Sequence, residues 1–164
     1  MSLVLNAPGD MEDETVMGIA ERLVEDMKSA MKAGESERVR IIRMARAALQ
    51  EARIAKRREL TEEEAIEVVA REAKKCREAA EEYRRLGQQE HAAAEDAEAQ
   101  MLTAYLPQQL SDAEIEEVVR AAVEELGARS VRELGKVMGM VMPKLKGRAD
   151  GERVNRIARS LLSE

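Results

Sequence analysis

Proline is scarce in this chain, and its scarcity is the strongest constraint on the fold. Only Pro8, Pro107 and Pro143 occur in 164 residues, so no proline interrupts the stretch between residues 9 and 106. The residues that fill this stretch, mainly alanine, glutamate, arginine, leucine and methionine, all favour helix. The chain has no tryptophan and no phenylalanine, so its core must consist of aliphatic side chains and methionine. The sequence therefore predicts an all-α fold.

Apolar residues recur at spacings of three and four along four segments of the first two thirds of the chain, which is typical of amphipathic helices. Gly34 is a favourable C-terminal stop for the first segment, and Thr61 with Glu64 forms a capping box that opens the third. The four predicted helices run from about Thr15 to Ala33, Ser36 to Arg58, Thr61 to Gly87 and Gln89 to Tyr105.

The pattern breaks at Leu106, because a proline follows it and disfavours helix at the preceding residue. Beyond this point the sequence predicts three more helices. Capping boxes begin at Ser111 and Ser130, Pro143 is expected to end the second helix, and Asp150 is expected to cap the last. We therefore expect a flexible tail over residues 1–13, an N-terminal domain of long helices over 14–106, and a small three-helix C-terminal domain over 107–164.

Charge is distributed unevenly along the chain. The whole chain carries a net charge of −6, yet the segment from Arg129 to Arg159 contains nine lysines and arginines against three acids, a net charge of +6. The remaining residues therefore sum to −12. Such an asymmetry favours contact between the basic segment and an anionic partner.

Motifs for catalysis, cofactors and metals are not found in the sequence. No phosphate-binding glycine loop, no zinc-protease motif and no pair of CxxC motifs occurs. His91 lies among polar residues and is expected at the surface, whereas Cys76 lies on an apolar stripe and is expected to be buried. We therefore predict no catalytic residues, no cofactor and no metal ligands.

The number of cysteines and the length of the apolar runs indicate where the protein is expected in the cell. A single cysteine excludes an internal disulfide, which fits a reducing compartment, and no apolar run reaches the length of a membrane span. We expect a cytoplasmic protein with no membrane contact. Long alanine-rich helices can pair between two copies of a chain, so the sequence is compatible with a homo-oligomer.

The turn from Lys144 to Arg148 is the best candidate for binding chemistry. Cations alternate there with Leu145 and Gly147, and point charges on a short turn suit phosphate oxygens. If Asp150 caps the last helix, the helix amides are occupied and phosphate contact falls to side chains. On charge alone, pairing of this turn with acidic helices of the same chain is an equally good interpretation. The candidate nucleic-acid-binding residues are Lys136, Lys144, Lys146, Arg148, Arg153, Asn155 and Arg156.

Two further features have simpler explanations. The second helix carries a basic stripe from Arg43 to Arg58, and a solvated face paired with acids such as Glu51 explains it better than binding does. Met138, Met140 and Met142 fill core space and supply a soft contact surface, which is the basis for an alternative function as a protein–protein adaptor with no nucleic-acid role.

Several motifs together resemble the GatB/YqeY family. They are Gly135-Lys136-Val137-Met138-Gly139, Lys146-Gly147-Arg148-Ala149-Asp150 and Val154-Asn155 in the tail, Tyr105-Leu106-Pro107-Gln108-Gln109-Leu110 before it, and Arg43-Met44 with Ala47-Ala48-Leu49 in the second helix. The resemblance extends from about Val16 to Ser163 and matches the stand-alone YqeY branch.

The resemblance implies a function linked to tRNA. In the B subunit of the glutamyl/aspartyl-tRNA amidotransferase a similar tail reaches the tRNA, and the family label is carbon–nitrogen ligase with glutamine as amido-N-donor. This chain lacks the catalytic cradle that would bind ATP and the activated tRNA end. The resemblance therefore implies an accessory module that binds tRNA, or a tRNA aminoacylation or amidation complex, rather than an enzyme by itself.

Overall fold

The structure of the protein, a computed structural model, describes residues 17–163. Within that range the structure contains seven α-helices, one short 3-10 turn and no strand, which confirms the all-α prediction. The predicted tail over residues 1–13 lies outside the described residues. The helices are α1 (Ile19–Ala33), α2 (Ser36–Lys56), α3 (Glu62–Arg85), α4 (Gln89–Thr103), α5 (Asp112–Leu126), α6 (Leu134–Leu145) and α7 (Gly151–Leu162).

Helices α1 to α4 share one hydrophobic cluster. Its fully buried members include Ile19, Leu23, Ile42, Val69 and Leu102, so all four helices contribute a side chain to the interior. Aliphatic packing of this kind needs no aromatic residue, as the composition requires. Helices α3 and α4 pack along each other and make the most extensive helix–helix contact within residues 17–163.

Helices α5, α6 and α7 enclose a second hydrophobic cluster. Ile115, Val119, Val141, Leu145 and Val154 are among its fully buried residues, and the three helices contact one another pairwise. The existence of two clusters fits the proposed boundary near residue 106, and the division into two domains stays a prediction for which an unfolding experiment is described below.

Local signals set several helix ends as predicted. The Thr61 hydroxyl accepts from Glu64 N, and the Glu64 carboxylate accepts from Thr61 N, so the box at the start of α3 is complete. Ser111 and Glu114 form the same arrangement at α5. Gly34 adopts φ +71° and ends α1, a left-handed conformation that glycine tolerates without strain.

Several predicted boundaries were wrong. Helices α3 and α4 each end two residues earlier than predicted, at Arg85 and Thr103. Helix α1 begins at Ile19 rather than near Thr15, since Met17 and Gly18 are not helical and Thr15 lies outside the described residues. Helix α2 ends at Lys56 because Arg57 adopts φ +56°. Pro143 does not end α6, which continues to Leu145.

The position of Pro143 inside α6 has a clear physical reason. Proline fixes φ near the helical value, so its costs are the missing amide donor to the carbonyl of Gly139 and the steric pressure of its ring on that carbonyl. Gly139 and Pro143 are both exposed, and water can satisfy that carbonyl. Burial of Leu145 in the second cluster then favours the extra turn.

The segment between α4 and α5 is held by side chains of the N-terminal helices. Tyr105 is buried, and its hydroxyl donates to the Asp26 carboxylate. The Arg22 guanidinium lies 5.1 Å from the centre of the Tyr105 ring and donates to the Tyr105 carbonyl. Burial and the hydrogen bond to Asp26 raise the pKa of Tyr105 to about 12. This anchor fixes the direction in which the chain leaves α4.

Candidate nucleic-acid interface

The seven predicted site residues occupy two helices and the turn between them. Lys136 and Lys144 are exposed on α6, and Lys146 and Arg148 are exposed in the turn that follows. On α7, Arg156 is exposed, and Arg153 and Asn155 are half-buried. The structure thus gathers all seven in the part of the chain that contains α6 and α7.

The exposed side of α6 contains two glycines, which have no side chain to project from the helix. Gly135 and Gly139 lie one turn apart, and a Cβ atom built on either would meet nothing within 4 Å. Lys136 and Lys144 lie on the same exposed side, about 12 Å apart along the helix axis. A phosphate backbone could therefore approach the helix backbone closely while two lysines reach its oxygens.

A shallow groove of about 460 Å³ lies along α7. Asn155, Arg156 and Arg159 line it together with Glu152 and Gly151. Met142 of α6 lies close to Gly151, since its terminal methyl would be 3.6 Å from a Cβ added there. Helices α6 and α7 therefore contact each other, and their exposed basic side chains lie on neighbouring helices.

Three of the seven residues are engaged with the rest of the chain. Lys146 Nζ lies 2.6 Å from a Glu67 carboxylate oxygen on α3, which raises the pKa of Lys146. Arg148 Nε donates to the Gln108 carbonyl at 3.4 Å. Arg153 pairs with Asp112 and donates to the Leu110 carbonyl at 3.0 Å. These contacts hold the turn against the N-terminal helices and the connecting segment.

Gly147 is the centre of that contact. It adopts φ +72°, and an added Cβ would lie 2.3 Å from Ile66 Cγ2 of α3, so no larger residue fits without movement. The Gln109 side-chain amide donates to the Gly147 carbonyl at 2.6 Å, and Leu110 N donates to the Arg148 carbonyl at 2.9 Å. The segments 105–110 and 146–150, whose motifs both resemble the GatB/YqeY family, therefore contact each other directly.

Asp150 caps α7, as the sequence predicts. Its carboxylate accepts from Glu152 N at 3.4 Å and also lies 3.4 Å from Lys74 Nζ on α3. Lys74 pairs with Glu152 at 3.1 Å as well, and these two acids raise the pKa of Lys74. The N-terminus of α7 is thus occupied by the protein's own carboxylate, which leaves side chains to make any phosphate contact.

Most cations of the basic segment have no acidic partner. Of the nine lysines and arginines from Arg129 to Arg159, only Lys146 and Arg153 form an ion pair within residues 17–163. Ion pairs within the described part of the protein therefore neutralise only two of these nine cations. The other seven are Arg129, Arg132, Lys136, Lys144, Arg148, Arg156 and Arg159.

Sequence reasoning missed the charged residues of α3 that contact this turn. Nothing in the pattern around Glu67 or Lys74 distinguishes them from other charged residues of α3, and only the fold brings them to the turn. Arg132 and Arg159 were counted in the basic segment but were not chosen as site residues. Helical spacing gives a signal for Arg159, since it lies one turn after Asn155 and lines the same groove.

The remaining reactive side chains, Cys76 and His91, belong to α3 and α4. Cys76 is buried, as predicted, and burial together with the nearby Glu95 raises the pKa of its thiol to about 11. Cys76, Glu95 and Glu98 are the only group of potential metal ligands found in residues 17–163. His91 is exposed, as predicted, and stacks on Tyr83 with 5.1 Å between ring centres.

Comparison with known proteins identifies the family. A sequence model of the Yqey-like proteins matches residues 20–162. The chain belongs to the YqeY-like family. The match covers the turn between α6 and α7 and, apart from Ile19, both hydrophobic clusters of this YqeY-like chain.

A curated relative connects the YqeY-like chain with a larger enzyme. The chain is 37% identical over 75 residues to the E subunit of the glutamyl-tRNA(Gln) amidotransferase from Thermococcus gammatolerans. The aligned stretch covers 46% of this chain and 12% of that relative. The chain therefore resembles a small part of an amidotransferase subunit. Separately, none of the helices described between residues 17 and 163 has the length and apolarity that a membrane span requires.

Proposed function

We propose that this YqeY-like protein binds tRNA, or a complex that processes tRNA, through the basic surface of α6, α7 and the turn between them. The observation that carries the proposal is the set of seven cations in the segment from Arg129 to Arg159 without an acidic partner in residues 17–163. An acidic chain leaves these charges unneutralised, although it has 33 acidic residues. The likeness to part of a glutamyl-tRNA(Gln) amidotransferase subunit supports tRNA as the polyanion.

The proposed contacts divide into two groups. Lys136, Lys144, Asn155 and Arg156 reach phosphate directly, since each is at least partly exposed and forms no ion pair in the described part of the chain. Lys146, Arg148 and Arg153 contribute less, because each already contacts a carboxylate or a carbonyl of the protein.

Binding rather than catalysis is the proposed role. The aligned part of the amidotransferase subunit is 12% of its length, so the activity in that relative's name does not transfer with the alignment. Cys76 is buried near Glu98 and His91 has its ring against Tyr83, and neither contacts a residue of the basic surface among the interactions seen in residues 17–163. The protein is then an accessory module for a tRNA aminoacylation or amidation complex.

The alternative function, a protein–protein adaptor, has less support from the structure than from the sequence. Met138, Met140 and Met142 are half-buried and pack against the second hydrophobic cluster, so they offer less free surface than the sequence suggested. The exposed strip of α6 is formed instead by glycine, lysine and proline. A phosphate backbone suits this strip better than an apolar partner does.

Replacing Lys136, Lys144 and Arg156 together by glutamine is expected to weaken tRNA binding by about 30-fold or more at low salt, because three phosphate contacts are lost. Filter binding with unfractionated tRNA over a potassium chloride series measures this. The slope of log affinity against log salt should become shallower by about two to three. The control is Lys32→Gln with Arg71→Gln and Arg77→Gln, which removes three charges elsewhere.

Equal affinity of the two triple variants would contradict the proposed surface. Circular dichroism of each variant reports whether the helices are retained. If the wild-type chain shows no tRNA binding at low salt, the proposed function fails altogether.

Glu67→Gln is expected to strengthen tRNA binding by about three- to tenfold. Glu67 pairs with Lys146 at 2.6 Å, so its neutralisation frees a lysine and removes a like charge from the path of the phosphates. The same binding assay measures the change. Glu72→Gln on the same helix is the control, since Glu72 pairs with Lys75 away from the turn. Unchanged affinity for Glu67→Gln would show that Lys146 does not take part.

A further inference from the structure

A second group of unpaired cations lies on α2. Outside the segment from Arg129 to Arg159, seven lysines and arginines form no ion pair in the described part of the chain. Three of them, Arg43, Arg46 and Arg57, belong to α2 or to the residue that ends it. The stripe on α2 was expected to pair with acids. Arg53, Lys56 and Arg58 do so, whereas no acid in the described residues neutralises the other three.

Helical spacing places these arginines along one side of the helix. Arg43, Arg46, Gln50 and Arg53 follow at intervals of three and four, and all four are exposed. They extend over about 15 Å of the axis, and Arg57 follows directly after the helix. We call these five residues the α2 arginine face.

A groove runs beside this face. Arg46, Gln50 and Arg53 line one wall of a groove of about 380 Å³, and Ala20 and Val24 of α1 line the other. The small residues of α1 leave the guanidinium groups accessible from the groove. Arg46 makes one weak contact, from Nη1 to the Met27 sulfur at 3.4 Å.

Two carboxylates border the groove, and both are already in use. Glu62 accepts from Ile19 N at 2.8 Å and so caps the start of α1. Glu59 pairs with Arg53 at 3.0 Å. Of the four arginines of the α2 arginine face, only Arg53 is paired with a carboxylate in the described part of the chain. The face therefore keeps a net positive charge.

Arg57 adds an independent observation. It is the only non-glycine residue with positive φ among residues 17–163, at +56°. Glycine or asparagine normally occupies this position at a helix end, because other side chains strain the backbone there. Its neighbours Lys56 and Arg58 both pair with Glu64, whereas Arg57 does not. A strained arginine with no internal partner points to a use outside the chain.

The chemistry of the face fits a phosphate backbone. Guanidinium groups bind phosphate oxygens with two parallel hydrogen bonds, and like charges three and four apart on a helix repel until an anion lies between them. No aromatic side chain belongs to the face, so nothing there stacks on a base. Binding at this surface should therefore depend little on nucleotide sequence.

We propose that the α2 arginine face is a second contact surface for the phosphate backbone of RNA, separate from the basic surface of α6 and α7. The proposal rests on the proposed function only for the identity of the polyanion. The two surfaces lie on different helices and share no residue, so each can be removed without the other.

The test compares Arg43→Gln with Arg46→Gln and Arg57→Gln in one variant against the triple control at Lys32, Arg71 and Arg77. Three probes are used: unfractionated tRNA, an RNA duplex of about 20 base pairs, and poly-glutamate of similar charge. The arginine-face variant is expected to bind tRNA and duplex about tenfold more weakly than the control, with a salt slope shallower by about two to three.

Each outcome separates the two proposals. If the arginine-face variant binds RNA as well as the control does, the further inference is overturned while the α6 and α7 surface stands or falls on its own variant. If only the arginine-face variant loses binding, the proposed function fails at its stated surface and this inference stands. If poly-glutamate binds as tightly as RNA and depends on the same arginines, the partner is an acidic protein and the inference is overturned.

Discussion

Replacing Leu102 with alanine is expected to lower the free energy of unfolding by about 2–5 kcal/mol. Leu102 lies near the end of α4 and is fully buried in the cluster formed by α1 to α4. The loss combines the transfer free energy of the removed methyl groups with the cavity that rigid helices cannot close. Urea unfolding followed by circular dichroism measures the change.

The neighbouring residue supplies a control. Met101 is 38% exposed, so Met101→Ala on the same turn of α4 should cost less than about 1 kcal/mol. If Leu102→Ala were as mild as Met101→Ala, the core would be less tightly packed around α4 than the structure shows.

The same experiment addresses the domain division. We propose that residues 14–106 and 107–164 unfold as two cooperative units, each with its own cluster. Leu145 is 1% exposed in the second cluster. Leu102→Ala should then shift one transition and Leu145→Ala the other. A single transition that both variants shift equally would contradict the division.

Gly147→Ala is expected to release the turn from α3 and to cost about 2–4 kcal/mol. About 1–2 kcal/mol comes from the left-handed backbone, at φ +72°, which alanine tolerates poorly. The rest comes from the new methyl group, which would lie 2.3 Å from Ile66 Cγ2. Hydrogen exchange of the Leu110 amide, which donates to the Arg148 carbonyl, should accelerate about tenfold or more.

Gly127→Ala separates the two causes. Gly127 has φ +63° at the end of α5, and a Cβ there would meet nothing within 4 Å. It therefore reports the backbone cost alone. If Gly147→Ala costs no more than Gly127→Ala, the close approach of the turn to Ile66 is not needed for docking. The double variant Gly147→Ala with Ile66→Ala should recover exchange protection at Leu110.

Local interactions explain which helix ends could be predicted. The capping boxes at Thr61 and Ser111 and the stop at Gly34 depend on residues three or four positions apart, so the sequence contains the whole interaction. Pro143 was predicted wrongly because its effect depends on its surroundings. Its missing hydrogen bond falls on an exposed face, while Leu145 gains burial by staying helical.

The candidate surface could also be predicted only in part from the sequence. Counting charges locates the basic segment, and the Asp150 cap follows from its position before an apolar repeat. Charge counting cannot separate a cation that pairs internally from one that does not. Lys144 and Lys146 look alike in sequence, yet Lys146 pairs with Glu67 and Lys144 forms no ion pair within residues 17–163.

The sequence by itself determined that this chain is all-helical, where most helices begin and end, and that its positive charge is concentrated near the C-terminus. These properties arise from backbone propensity, helical periodicity and interactions within one turn. Only the tertiary structure decided which cations are neutralised and that Gly147 must be a glycine. Those outcomes depend on Glu67, Ile66 and Lys74 of α3, which are far from the turn in sequence and reach it only because the helices pack together.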